Sequence, residues 1–510
     1  MKIYMTKKSI LYTLVLLVCG ANFCEVNAQK SSSNQKPPKQ KNIIFILADD
    51  LGWADLPAYG NRFNESPNID KLAREGMRFT DAYSAGPVCS PTRASIMSGQ
   101  YPARLGFVCH IPGHWRPYEQ VRTPSNRAQF LPQEIKTVAE QLKDAGYATA
   151  YFGKWHLGNN KPYHPVNQGF DVANVGQSFY NTTFIPARED YRDLRFSDRI
   201  TEFGVDFIEE NKDKPFFLML AHYDVHVLLD ADIDLIDKYL QKKKDKTYPG
   251  NAVYAAMIEH LDRSVGRIMA KLKSAGLDEN TILVFASDNG GVVSENIYPF
   301  AKVQRDEISR HDRWVTLADS KKHMYADSPL RFIGTSNAPL RNEKGSIYEG
   351  GIRIPLIVKW PGAVKPGTIS EAMVISNDFY STFMEMAGMK PVNRDGQSMV
   401  PTLLDGNHDL NRALYWHYPV FHHDVPSGAI RQGEWKLIEN FMTGEKALYN
   451  LTYDIGETTN LASDFKSKTK ELHQLLQSWQ TQVGAEFPVP NPDFNPERRY
   501  EWGVHPSVKK

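Results

Sequence analysis

Asn42–Ala48 reads Asn-Ile-Ile-Phe-Ile-Leu-Ala, an apolar run unbroken until Asp49-Asp50. It has the length of a strand, and its lack of alternation predicts a strand covered on both faces. The same pattern recurs over Ala148–Phe152, Phe216–Ala221, Thr281–Ser287 and Pro355–Lys359. Between these runs the apolar residues fall at helical spacing. Thr137–Ala145 stops at Gly146, Ala252–Ala275 at Gly276 and Phe379–Ala387 at Gly388, where a helix end favours a left-handed residue. Alternating apolar strands and amphipathic helices predict an α/β fold, a large mostly parallel mixed sheet sandwiched by helices.

Past residue 400 the pattern shortens. Ala429–Arg431, Trp435–Glu439 and Ala447–Leu451 read as short antiparallel strands, followed by a helix over Thr469–Val483. The expected organisation is a main α/β domain over 42–400 and a smaller subdomain with an antiparallel sheet over 401–510. The N-terminus reads differently. Lys2, Lys7 and Lys8 precede the apolar run Ile10–Val18, and Val26-Asn27-Ala28 offers small residues for cleavage. That run is too short to cross a bilayer comfortably. Residues 1–28 are therefore expected to be a signal peptide. Residues 29–41, rich in Ser, Gln, Lys and Pro, are expected to be a flexible linker. The protein is then exported, to the periplasm or beyond the cell, with no membrane span in the mature chain.

Composition narrows the partners. The 510 residues carry a formal net charge of +1, so no global field points to nucleic acid. Removing the leader takes Cys19 and Cys24 with it and leaves Cys89 and Cys109. Cysteine counting in an exported chain would pair those two, but the surroundings of Cys89 argue for another role.

Ligands of open α/β sheets bind outside the carboxyl ends of strands, so the residues after each predicted strand carry weight. They are Asp49-Asp50, then Lys154 and His156, then His222 and His226, then Asp288-Asn289. Leu340–Ser346, with Lys344, lies just before Pro355–Lys359. Asp49, Asp50, Asp288 and Asn289 offer oxygen alone, which suits Ca²⁺ and, less well, Mg²⁺. Zinc would favour nitrogen or sulfur. Pro91 marks the first turn of a helix continuing through Met97, so Cys89 falls at a helix N-terminus, where anions are favoured. The same dipole would lower a thiol's pKa. Arg93, four residues on, can point back toward that end.

The core Cys89-Ser90-Pro91-Thr92-Arg93 has the form Cys-x-Pro-x-Arg and resembles the signature of the type I sulfatases. Further segments match in the family's order: Ala48–Trp53, Gly153–Gly158, Ser287–Gly291, Leu340–Pro355, and Leu448–Leu451 with Glu457 and Asn460-Leu461. The resemblance covers roughly residues 42 to 485 and extends to exported bacterial polysaccharide sulfatases. It implies the alkaline-phosphatase-like fold. It also implies that Cys89 is oxidised to formylglycine (3-oxoalanine) by a formylglycine-generating or anaerobic sulfatase-maturating enzyme. The hydrated aldehyde would attack sulfur and later expel sulfate. Asp49, Asp50, Asp288 and Asn289 would bind Ca²⁺, with residue 89 completing the shell. Arg93 and Lys154 would hold the nucleophile, and His156 would serve as base. Lys344 and His226 would contact the sulfate, His226 as general acid. The family often has Pro-His-x-Pro where this chain has Val225-His226-Val227-Leu228, which leaves His222 as a rival.

Three clusters bear on the substrate: His110, His114, Trp115 and Arg116; the basic residues between Ser294 and Asn337; and His417, Tyr418, His422 and His423. Aromatic and basic residues suit stacking on sugars and pairing with sulfate, and His114 and Trp115 are the candidates singled out. The expected substrate is a sulfated carbohydrate such as ulvan, a sulfated galactan or glycosaminoglycan fragments. The alternatives are a phosphonate or phosphodiester hydrolase of the same superfamily and a catalytically dead glycan-binding protein.

Overall fold

The computed structural model describes residues 40–506 apart from 114, 181, 228, 244–247, 297–330, 393, 407, 408 and 410. The predicted leader, most of the linker and most of the Ser294–Asn337 segment lie outside the described residues. Eight strands form the main sheet: β1 (Asn42–Ala48), β2 (Met77–Phe79), β3 (Ala148–Gly153), β4 (Val172–Val175), β5 (Phe216–Ala221), β6 (Thr281–Ser287), β7 (Leu356–Lys359) and β8 (Thr368–Ser370). Their spatial order is β8-β2-β7-β6-β1-β5-β3-β4. Only β7 runs against its neighbours; β1, β3, β4, β5 and β6 are mutually parallel. The predicted mixed, mostly parallel sheet is therefore present.

Every residue of β1 is buried, as its unbroken apolar run requires. Ile44, Ile46 and Ala48 face a core shared with the helices Phe196–Glu210 and Ala252–Ser274. Ile43, Phe45 and Leu47 face the opposite core, under Val138–Asp144 and Asp378–Met386. Each large side chain so buried contributes about 1.5–3 kcal/mol. The helix starts are specified locally. Thr137 and Glu140 form a reciprocal capping box, and the Asn251 side chain accepts from the backbone N–H groups of Val253 and Tyr254.

The smaller sheet comprises β9 (Ala413–Tyr418), β10 (Ser427–Gln432), β11 (Trp435–Asn440) and β12 (Lys446–Asn450), antiparallel throughout. It packs with the helix Lys466–Val483 around a core that also takes in Tyr83, Ala85 and Val88. Those residues lead directly into Cys89. Trp416 of β9 donates from Nε1 to the Ser84 carbonyl at 2.8 Å. Lys436 of β11 is wholly buried, 2.8 Å from both Glu349 and Glu457. Burial opposes charge on both carboxylates. Lys436, Arg353 and Arg431 overcome it at Glu349, whereas burial prevails at Glu457, which rises to about 7. Further along, Val489-Pro490 pair with Val121-Arg122, and Trp115 exchanges backbone hydrogen bonds with Gly503. Among the described residues no helix is long and apolar enough to cross a membrane.

Replacing Lys436 with Met takes its cation from buried Glu457 and leaves Glu349 to Arg353 and Arg431. The loss expected in urea unfolding is about 3–5 kcal/mol; a loss below about 1 kcal/mol would mean the pair is not held as described.

Candidate active site

The register of the central strands builds the site. Ala48 pairs with Ser287, Leu47 with Ala221, and Gly153 also with Ala221, so β1, β3, β5 and β6 end at one level. Asp49, Lys154, His222 and Asp288 therefore emerge side by side. Because β7 is antiparallel, the loop preceding it returns to the same rim. The Lys344 N–H donates to the Gly291 carbonyl at 3.2 Å, and Gly290 N–H to Gly351 at 3.0 Å. Gly153 has φ +121°, and a Cβ there would meet the Ala221 carbonyl oxygen at 1.9 Å, so only glycine lets Lys154 turn off the strand. Asp50 and His156 adopt φ of 60° and 62°, left-handed conformations that cost about 1–2 kcal/mol per non-glycine residue.

Cys89 is the first residue of the helix Cys89–Ser98 and is 1% exposed. Its sulfur lies 3.3 Å from Asp49 Oδ1, 3.8 Å from Asp50 Oδ1 and 3.4 Å from Lys154 Nζ. Burial, then Asp288 and Asp49, push the thiol well above its usual value. This overturns the expectation that the helix dipole would lower it. A helix N-terminus is worth about 0.3–1 kcal/mol near a surface, and burial beside three carboxylates outweighs that.

Each of those carboxylates is matched by a cation. Arg93 donates from Nε to Asp288 at 2.9 Å, Lys154 meets Asp49 at 2.5 Å, and Lys344 donates to Asp50 at 2.7 Å. Burial alone would raise Asp50, but the charges of Lys344 and Lys154 hold it below the usual carboxylate range. Asp288 is instead raised to about 6, by burial and then by the charge of Asp49. The Asp288 carboxylate thus stays under-compensated despite Arg93, as it would in a cation site. One ligand atom from each of Asp49, Asp50, Cys89 and His226 lies within 4.8 Å of the others. Asn289 donates from Nδ2 to Asp50 Oδ1 at 2.7 Å, and its buried Oδ1 has no hydrogen-bond partner. Asp288 accepts from the Asp50 N–H at 3.2 Å. Asp49, Asp50, Cys89 and His226 thus form a cluster that fits a divalent cation, and Asp288 and Asn289 adjoin it through Asp50.

Two imidazoles flank the centre. His226 Nδ1 lies 2.5 Å from the Val227 carbonyl, which assigns the proton to Nδ1 and the lone pair to Nε2, 3.1 Å from Lys344 Nζ. His156 Nε2 donates to the Ile111 carbonyl at 2.6 Å, leaving Nδ1 as the basic nitrogen. Burial, reinforced by Lys154, holds both rings well below their ordinary pKa, so both are neutral here. His222 is elsewhere. It is fully buried with Nε2 3.1 Å from Ser264 Oγ, so His226 is the histidine at the centre.

A cleft of about 600 Å³ opens over Cys89, lined also by His110, Lys154, His156, Gln177, Tyr223, His226, Val227, Lys344, His422 and His423. Trp115, expected to bind substrate, does not line it. Its ring packs edge-on against His505 and its backbone pairs with Gly503. His114 lies outside the described residues. Cys89 and Cys109 are both buried free thiols. Gln177 and Tyr223 were missed. Tyr223 follows β5 directly and fell within reach of the strand-end rule; Gln177 follows β4, too short to carry a period. Also missed was the buried Arg195–Asp224 ion pair. It sits in the turn whose Asp224 carbonyl accepts from Asp49 N–H at 3.0 Å.

Residues 41–389 match the family model described as Sulfatase. The chain belongs to the sulfatase family. Residues 342–482 match the model described as N-sulphoglucosamine sulphohydrolase, C-terminal. This sulfatase is 30% identical over 541 residues to a sulfatase of Formosa agariphila, covering 88% of this chain and 90% of that one. It is 30% identical over 411 residues to the N-acetylgalactosamine-6-sulfatase of Rattus norvegicus, covering 74% and 68%. Ps i-CgsB, solved in complex with k-i-k-neocarrahexaose, superposes with a TM-score of 0.69 at 25% identity, covering 92% of this chain and 96% of that one. The fold is that of the alkaline-phosphatase superfamily, as the sequence resemblance implied.

His226→Ala is expected to lower kcat on an aryl sulfate by about 10²–10⁴-fold. His222→Ala should instead lower thermal stability by about 1–3 kcal/mol with kcat largely kept. The reverse pattern would exchange their assignments.

Proposed function

We propose that this sulfatase removes sulfate from sulfated carbohydrate, with residue 89 acting as formylglycine and Ca²⁺ held by Asp49, Asp50, Asp288 and Asn289. The observation that carries this is the place of Cys89, buried at a helix N-terminus with its sulfur 3.3 Å from Asp49 Oδ1 and 3.4 Å from Lys154 Nζ. Left as a thiol it is a poor nucleophile. Hydrated formylglycine would supply an oxygen nucleophile at that place, within reach of Asp49 and Lys154. Ca²⁺ would supply Lewis-acid stabilisation of charge on the sulfuryl oxygens. With oxygen at residue 89 the ligands suit Ca²⁺; with sulfur they would lean toward zinc.

The chain's own residues do the rest. Arg93 and Lys154 fix the carboxylates that face residue 89. Lys344, beside His226, contributes positive charge where sulfate charge spreads in a loose transition state. His226 Nε2, a lone pair at rest, would take up a proton once the anionic sulfate is bound beside it, and pass that proton to the departing sugar oxygen as the S–O bond breaks. His156 Nδ1 accepts one from the nucleophile side. Carbohydrate is the substrate class because relatives of similar length act on, or bind, sugars by their names.

The enzyme that oxidises Cys89 must act before the fold closes, since the side chain is 1% exposed. Residues 1–28 act as an export leader in this reading, and the mature enzyme works in the periplasm.

Mass spectrometry of the peptide containing residue 89 should show an aldehyde in active enzyme. Full activity with an intact thiol would overturn the mechanism. Chelation should abolish turnover, with Ca²⁺ restoring it and Zn²⁺ not. Sulfate release is expected from sulfated galactan, ulvan or glycosaminoglycan oligosaccharides; release from aryl sulfates alone would remove the carbohydrate assignment.

A further inference from the structure

Tyr223 is the first residue after β5, and it meets His226 through backbone, ring and hydroxyl. Its carbonyl accepts from the His226 N–H at 2.8 Å, which closes a tight turn. Its ring stacks on the imidazole, with centroids 4.9 Å apart and planes 25° from parallel. Its hydroxyl donates to the Val227 carbonyl at 2.9 Å. That carbonyl is the one His226 Nδ1 lies against at 2.5 Å. A carbonyl oxygen has two lone pairs and takes both donors.

The turn is itself anchored. Arg195 pairs with Asp224, and both are buried. The Asp49 N–H donates to the Asp224 carbonyl at 3.0 Å, and the Val225 N–H donates to the Asp49 carbonyl at 2.7 Å. Phe179 lies under the Arg195 guanidinium at 4.7 Å and packs against the Tyr223 ring, centroids 5.0 Å apart. The backbone that carries Tyr223 and His226 is thereby tied to Asp49.

We propose that Tyr223 is the positioning residue for proton donation by His226. The inference rests on the reading of His226 as the group that protonates the leaving oxygen. A proton leaves an imidazole nitrogen in the plane of the ring, so the rotation of the ring decides which atom it reaches. The stack on Tyr223 sets that plane. The Tyr223 hydroxyl fixes the carbonyl that engages Nδ1, and Nε2 is then the nitrogen left to face Lys344 Nζ, 3.1 Å away. Without the hydroxyl, the Val227 carbonyl and the ring can swing together, and the donor is aimed less often at the departing oxygen. Tyr223 has its own proton engaged with that carbonyl and acts through His226.

Leaving groups separate this role from a structural one. A para-nitrophenolate departs without a proton, whereas the more basic phenolate needs one. The mature Ca²⁺-loaded enzyme would be assayed on para-nitrophenyl sulfate and phenyl sulfate. The two kcat/KM values would be taken as a ratio on one preparation, so that any loss of folded protein cancels. His226→Ala should lower kcat/KM on phenyl sulfate about 10²-fold more than on para-nitrophenyl sulfate. Tyr223→Phe, which keeps the stack and removes the hydroxyl, should lower it about fivefold more. Added to His226→Ala, Tyr223→Phe should move the ratio by less than about twofold, since no imidazole is left to aim. An equal effect of Tyr223→Phe on both esters, or a further shift in the His226→Ala background, overturns this inference alone. An equal effect of His226→Ala on both esters overturns it together with the reading of His226 as proton donor.

Discussion

Repulsion among three buried carboxylates organises the molecule. Asp49 and Asp50 leave one strand and Asp288 leaves its neighbour, and the parallel register gives them no room to separate. Like charges in a low-dielectric interior repel by several kcal/mol at such spacing. Arg93, Lys154 and Lys344 come from three different segments to answer them, and each is drawn nearly out of solvent to do so. A balance of three against three leaves no net charge. A divalent cation held there would add two charges, which a sulfate monoester and an ionised nucleophile would cancel.

The rest of the fold holds that balance in place. Lys344 lies on a loop anchored on one side by the turn after β6 and on the other by Glu349, whose carboxylate meets Lys436 of the smaller sheet. The smaller sheet also packs on the segment entering Cys89. Its contribution is to brace two of the loops that meet at the nucleophile, at the cost of burying a lysine between two acids.

Much of this was legible in the sequence, for a physical reason. A strand buried on both faces is a continuous apolar run, and where it stops the first polar residues are those facing the ligand. That rule located Asp49, Asp50, Lys154, His226, Asp288 and Asn289. Segments of three or four residues, such as Met77–Phe79 and Val172–Val175, carry no period and were invisible, and Gln177 was lost with the second. Trp115 was misread because an aromatic among basic residues looks the same whether it awaits a sugar or packs on the chain's own His505. The elevated Cys89 thiol was out of reach for another reason. It depends on Asp288, nearly two hundred positions away in the chain, and on burial, neither of which the local helix signal contains.

The pairing of Trp115 and Val121-Arg122 with residues 489–503 has a kinetic meaning. The loop so tied runs back to Ile111, whose carbonyl orients His156. Closing it requires joining points separated by most of the chain, a contact of very high order whose loop-closure entropy is met only once both sheets exist. The strands that gather the carboxylates can form without it. That outer strap therefore closes late, whereas Ile111, whose N–H donates to Ser90 Oγ at 3.1 Å, takes its place with the nucleophile helix, so His156 is aimed by the same helix that carries residue 89.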